Sequence, residues 1–305
     1  MLDSGLCRDV AQPGSAHAWG AWGRRFKSSR PDHCYLQGLS LKEILLTNDD
    51  GLQSPGISAL AEALSVLGRV TIVAPDRERS ASSQSLSLHR PIRYEEIGPR
   101  RFSVDGTPTD CVLIALHHIL KVRPDLVISG INQGANLGHD IAYSGTVSAA
   151  LEAAHHDLPA FAISLAARKE FRFEEAAKFA GILAEKLWAD PLPTGLILNV
   201  NVPRNEITGI RITRQGQRNV RTLIVENQDP RGRRYFWFDQ EMQAVSGQDS
   251  PDVDYMAVNA GYVSITPLKT DRTGHETIDR LEGWPEIFSK GASKSDSLAG
   301  RGSAW

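Results

Sequence analysis

Two adjacent carboxylates at the end of an apolar run are the feature of this chain best suited to chemistry. Ile44-Leu45-Leu46-Thr47 leads into Asn48-Asp49-Asp50-Gly51, and Pro55 and Gly56 follow before an amphipathic stretch. The order reads as a buried strand, a tight acidic turn and a helix. In an open α/β sheet, ligands bind at the carboxyl ends of strands. Two carboxylates gathered there are costly unless positive charge lies between them. One divalent metal ion with hard oxygen ligands, Mg²⁺ or Mn²⁺, meets that need. Asn-Asp-Asp-Gly is also ordinary turn chemistry, because Asn and Asp tolerate left-handed backbone and bond their own main chain.

Two further loops leave predicted strands at the same end of the sheet. The second, from Asp76 to Ser87, carries Ser80, Ser82 and Ser83. The third carries Asn132, Asn136, Asp140, Ser144 and Thr146. Together the three loops offer two anionic ligands, several neutral oxygens and a helix N-terminus at Gly145 to Val147, which is a natural anion site. A metal beside an anion site is the minimal equipment for phosphate ester chemistry. Each piece also has a plain structural reading. Gly134 and Gly138 shape a long loop, the serine run makes a flexible linker, and Ser144 is an N-cap. His117-His118 and His155-His156 are adjacent pairs on helices, their members about 100° apart, and read as ordinary helix residues.

The elements that must position these loops alternate. Strands are expected at Ile44 to Thr47, Val70 to Ala74, Leu126 to Ser129, Phe161 to Leu165 and Leu196 to Val202. Helices are expected at Pro55 to Leu67, from Thr107 as cap to Leu120, at Val147 to His156 and at Glu174 to Trp188. Such alternation predicts an α/β fold: a Rossmann-like, mostly parallel sheet with helices on both faces. After Pro203 the pattern turns to period two. Ile210 to Ile224 and Tyr235 to Phe238 predict a C-terminal antiparallel hairpin extension over about 205–250. A short helix at Asp254 to Ala260, a strand at Tyr262 to Thr266 stopped by Pro267, and a last helix at Glu276 to Phe288 complete the domain, 41–288.

The 305 residues carry a formal net charge of −2, which gives no electrostatic case for binding a nucleic-acid polymer or a membrane surface. No apolar run reaches the length of a membrane span. Cys7, Cys34 and Cys111 lack metal-type spacing and form no even set, so a reducing, cytoplasmic setting is expected. Residues 1–40 lack any sustained period and have no apolar signal core. Arg24 to Ser29 can be encoded by a stretch resembling the T-arm of a tRNA gene. The expectation is an upstream tRNA gene read as protein, with the true start near Leu39 to Leu41; recovery of a natural peptide spanning Trp19 to Lys27 would overturn it. The tail 289–305, rich in Ser, Gly and Lys, is expected to be disordered.

An ordered set of motifs resembles the survival protein SurE family, metal-dependent 5′/3′-nucleotidases. They are Asn48-Asp49-Asp50-Gly51, Ala74-Pro75-Asp76-Arg77, Arg79-Ser80, Gly106-Thr107-Pro108-Thr109-Asp110-Cys111, Ser129-Gly130-Ile131-Asn132, Asn136-Leu137-Gly138, Tyr143-Ser144-Gly145-Thr146-Val147 and Gly261-Tyr262-Val263-Ser264-Ile265-Thr266-Pro267-Leu268. The resemblance spans about residues 43–270. It implies a metal held by Asp49, Asp50, Ser80 and Asn132; the helix N-terminus predicts phosphate contacts from Ser144, Gly145 and Thr146, with Asn136 beside them. The resemblance also implies nucleoside monophosphate substrates and a homodimer or homotetramer; Asp49 and Asp50 are the expected catalytic pair, one of them moving the proton. Ala153 and Val253 depart from residues common in the family, glycine and threonine. Base preference, 5′ against 3′ cleavage and action on short polyphosphate stay open.

Rival activities fit less well. A dinucleotide-binding oxidoreductase wants G-x-G-x-x-G at the first turn, and a haloacid-dehalogenase-type phosphatase wants Asp-x-Asp there. A non-catalytic, metal-dependent nucleotide sensor built on the same pocket is the remaining alternative.

Overall fold

A computed structural model of the chain describes residues 41–217, 220–242, 250–282 and 284. The chain divides into two units, Met1–Ser40 and Leu41–Trp305. The expectations for 1–40, for the tail 289–305 and for Cys7 and Cys34 lie outside the described residues.

The elements run β1 (Lys42–Thr47), α1 (Pro55–Leu64), β2 (Gly68–Pro75), β3 (Tyr94–Gly98), β4 (Arg101–Val104), α2 (Pro108–Ile114), β5 (Leu126–Gln133), α3 (Gly145–His155), β6 (Ala160–Ala166), α4 (Glu174–Ala189), β7 (Leu196–Pro203), β8 (Gly209–Ile212), β9 (Val220–Gln228), β10 (Arg234–Met242), α5 (Asp254–Asn259), β11 (Tyr262–Lys269) and α6 (His275–Leu281). Nine strands form one sheet in the order β3-β4-β2-β1-β5-β6-β7-β11-β8. From β4 to β7 neighbouring strands are parallel; β3 and β11 pair antiparallel to β4 and β7. The mostly parallel α/β architecture is therefore as the alternation predicts.

β1 lies between β2 and β5, covered on both faces, so Ile44, Leu45 and Leu46 are all buried. That double burial is why the strand reads as a continuous apolar run rather than an alternating one. Successive side chains point to opposite faces. Ile44 and Leu46 join Leu60, Leu64, Ala180 and Leu183 in the core under α1 and α4, while Leu45 joins Val112, Val147 and Leu151 under α2 and α3.

Several expectations are corrected. β3 and β4 have no counterpart in the predicted strands; β3 is an edge strand with Tyr94, Glu95, Glu96 and Ile97 exposed, so it shows no buried face to the sequence. α1 stops at Leu64, where Ser65 caps it, rather than at Leu67. α2 gives way at Ala115 to one π-helical turn, Ala115–Ile119. β5 continues to Gln133, through residues expected to be loop, with a register shift between Gly130 and Asn132. β11 runs past Pro267 to Lys269. Pairing with β8 has ended by Ile265, so Pro267, which lacks an N–H, sits where no neighbour on that side needs one.

Of the residues expected in the hairpin extension, Gly209–Ile212 instead joins the main sheet as β8, parallel to β11. β9 and β10 form the hairpin, a separate two-stranded antiparallel sheet. The last helix is described only to Leu281.

Candidate active site

The order of strands reverses at β1. The chain passes from β1 outward to β2 on one side and later from β5 outward to β6 on the other. At such a switch point two loops diverge and leave a crevice outside the carboxyl ends of the strands. The loops after β1 and within the end of β5 flank that crevice, and they carry Asp49, Asp50 and Asn132.

A cleft of about 500 Å³ opens there, lined among others by Asp49, Asp50, Ser80, Asn132, Asn136 and Ser144. The structure thus brings together, at one cleft, the four residues expected to hold a metal and two of those expected to meet phosphate. Gly145 and Thr146 follow at the start of α3.

Each residue has a local reason for its place. Asn48 closes the acidic turn by donating to the Gly51 carbonyl (3.0 Å) and accepting from the Gly51 N–H (3.2 Å). Ser54 then caps α1, accepting from the Gly56 N–H at 3.2 Å, with Pro55 at the first helical position. Asp49 turns inward and is buried. It accepts from the Thr146 N–H at 3.1 Å and from the Thr146 hydroxyl. Asp50 is partly exposed and accepts from the Gln133 N–H at 3.0 Å, which ties the first loop to the end of β5. The close approach of α3 to Asp49 depends on Gly145: a Cβ there would stand 2.9 Å from the Asp49 Cβ and 2.6 Å from the Ser82 Oγ.

Thr146 therefore differs from the expectation that it meets phosphate. Both its donors serve Asp49, because the first turn of α3 points its N–H groups at the nearest buried anion. Ser144 accepts from the Val147 N–H at 3.1 Å as N-cap. Asn136 donates to Ser164 Oγ at 2.8 Å, and its main chain is held by Asn199 and Asn201 from β7. The amide thus lines the cleft from a fixed position.

Sequence reasoning missed four contributors. Glu78 lines the cleft and accepts from the Ser80 hydroxyl at 2.6 Å. Asp254, buried at the start of α5, accepts from the Gly138 N–H (2.8 Å) and the Gly216 N–H (3.1 Å), anchoring the third loop. Asn199 and Asn201 sit in the apolar-looking β7 and hold Asn136. A polar residue at every second position of a buried strand, Asn199-Val200-Asn201, was the available signal.

The electrostatics are strained. Burial raises the Asp49 carboxyl above its ordinary range, although the two Thr146 hydrogen bonds oppose this. Burial and the neighbouring charge of Asp49 push Asp50 up to about 6, against the opposing Gln133 N–H. Glu78 adds negative charge to both. Among the described residues no group of three or more His, Cys, Asp or Glu gathers in metal-binding fashion. Any cation held here would take two carboxylates and neutral oxygens from Ser80 and Asn132. That all-oxygen set suits a hard cation such as Mg²⁺ or Mn²⁺ and lacks the nitrogen and sulfur ligands zinc prefers. The crowded negative charge and the donor chemistry fit the ion that the motifs imply.

The sheet order and the acidic cleft at the carboxyl ends of β1 and β5 define an α/β protein with a largely parallel sheet and a crevice at its switch point. The family profile "Survival protein SurE" matches residues 44–222. The chain is 48% identical over 256 residues to a protein of Syntrophotalea carbinolica called 5′-nucleotidase SurE, covering 81% of this chain and 98% of the relative. It is 49% identical over 253 residues to one of that name from Geotalea daltonii, covering 81% and 100%. The crystal structure of the SurE protein from Aquifex aeolicus superposes with a TM-score of 0.72 at 42% identity, over 80% of this chain and 99% of that one. The chain belongs to the survival protein SurE family.

Proposed function

We propose that this chain is a nucleotidase that hydrolyses the phosphomonoester of nucleoside 5′- and 3′-monophosphates with the help of one Mg²⁺ or Mn²⁺ per subunit. The observation that carries the reading is the Asp49–Asp50 pair, Asp49 buried and Asp50 partly so, fixed by Thr146 and Gln133 at the mouth of an oxygen-lined cleft. The names of the relatives, 5′-nucleotidase, agree with it.

Asp49, Asp50, Ser80 and Asn132 would hold the cation. When bound, it supplies charge neutralisation for the phosphate and makes a nearby water easier to deprotonate. The chain's own residues do the rest. Thr146 keeps Asp49 in one rotamer. Ser144, the first N–H groups of α3 at Gly145, and Asn136 face the position of the phosphate oxygens. Asp50, held by the Gln133 N–H, is placed to accept a proton from the attacking water while Asp49 stays hydrogen-bonded to Thr146. Phosphoryl transfer of this kind needs positioning and charge stabilisation more than a covalent intermediate.

The test is phosphate release from a panel of nucleoside monophosphates, and from short polyphosphate, with Mg²⁺, with Mn²⁺ and with EDTA. Asp49→Asn should abolish most release, a loss on the order of 100-fold or more for a charged ligand, and Ser80→Ala should lose less, because water can replace a neutral ligand. Nucleotide binding without turnover in the wild-type protein would replace this reading by the sensor.

The hairpin supports self-association. Ile224, Val225, Tyr235, Phe236, Trp237 and Phe238 are exposed on it, and an isolated hairpin is marginal in water. The proposal is a homodimer or homotetramer; a monomer in light scattering at micromolar concentration would refute it. Among the described residues no helix is long and apolar enough to cross a membrane, and a cytoplasmic setting is proposed on the cysteine usage.

A further inference from the structure

A second cavity lies at the opposite end of the sheet, over the starts of β1 and β2 and beside β3 and β4. Its volume is about 620 Å³, within the ~300–1,000 Å³ range of small-molecule sites. Glu43, at its edge, stands six residues before Asp49, about 20 Å away along the strand direction at about 3.3 Å per residue. It is therefore separate from the carboxylate cleft.

Three observations mark it as a ligand site. Tyr94 meets Phe102 edge-on at 6.1 Å and His118 at 5.6 Å, so three rings form one wall. His118 is delivered by the π-helical turn after α2, a distortion that recurs at functional sites. The charge around the cavity is also unbalanced. Arg69 and Arg100 both hold Glu43, at 2.7 and 2.6 Å, and Lys121 adds a third cation against Glu43 and Glu96.

We propose that this cavity is a second ligand site, for a planar aromatic ring carrying one anionic group. The ring packs against Tyr94, Phe102 and His118. The anion faces Arg100 and Lys121. The inference does not depend on the nucleotidase reading.

Isothermal titration of the metal-free full chain with AMP and, separately, with salicylate tests it. Lys121→Met removes an exposed cation from the lining, so the fold is kept; His118→Ala removes one ring. The expected result is a binding event that each variant weakens at least tenfold and Asp49→Asn leaves unchanged. Such binding of AMP alone points to a phosphate-bearing ligand, and of salicylate to a carboxylate; either supports the site. The proposal is overturned if neither probe binds, if all binding disappears in Asp49→Asn, or if Lys121→Met or His118→Ala binds at wild-type strength.

Discussion

Asp50→Asn should make the metal-free protein more stable while weakening its response to metal. In the folded chain Asp50 titrates at about 6 against an ordinary value of 3.8, chiefly through burial and the charge of Asp49. A carboxyl whose folded value is raised costs stability above that value and regains it as pH falls toward the unfolded value. At ~1.4 kcal/mol for each tenfold change in an acid's ionisation constant, ionised Asp50 costs up to about 3 kcal/mol at pH 8, and partial solvent screening reduces this to about 1–3 kcal/mol. Asparagine removes the charge and keeps an oxygen for the Gln133 N–H. For a domain of this size, at roughly 2–4 °C per kcal/mol, Tm in EDTA at pH 8 should rise by about 2–12 °C. The gain should fall to about half at pH 5, where folded Asp50 is already largely protonated. Added Mn²⁺ should raise the wild-type Tm and reverse the order of the two proteins. Thermal unfolding followed by circular dichroism at pH 5 and pH 8, in EDTA and in Mn²⁺, reads all four values. A lower Tm for Asp50→Asn in EDTA at pH 8 would refute the reasoning, because it would mean that the pair is not electrostatically strained without metal.

Two other substitutions probe the frame of the cleft. Gly145→Ala places a methyl against Asp49 and Ser82; overpacking of about 1–3 kcal/mol is expected, with activity falling more than stability because the displaced carboxylate is the one at the centre of the site. Denaturant titration beside phosphate release checks the split. Asp254→Ala leaves the Gly138, Gly216 and Tyr255 N–H groups without their carboxylate; a loss of about 3 kcal/mol or more is expected at roughly 1–3 kcal/mol per buried donor, read as a lower denaturation midpoint.

What could be read from the sequence follows from what burial leaves visible. The parallel core strands are apolar throughout because helices cover both faces, so β1, β2, β5, β6 and β7 were legible. β3 and β4 were not, since the edge strand faces water with charged residues. Asp49, Asp50, Ser80 and Asn132 were legible as residue types on loops after strands, and the family motifs fixed their numbers. The partner of Asp49 was not. Thr146 lies 97 residues away, and a Ser-Gly-Thr helix start looks the same whether its N–H groups face a ligand or a buried side chain. Glu78 escaped notice among the charges of an exposed loop, and Asp254 because an acid before a short helix reads as an N-terminal charge rather than as an anchor for a distant turn.

The 97-residue span between Asp49 and Thr146 also sets a clock on synthesis. A ribosome adding ~5–20 residues per second exposes the acidic turn roughly 5–20 s before the helix that receives it. During that interval β1 can pair with β2 but has no β5, and the two aspartates stay in water as an ordinary hydrophilic turn. The strained pair is created only by the closing of the sheet, when most of the apolar core is already present to sustain it. A nascent chain cut before residue 126 therefore carries the motif without the burial that raises these carboxyls, and the electrostatic strain belongs to the completed sheet rather than to the Asn-Asp-Asp-Gly segment.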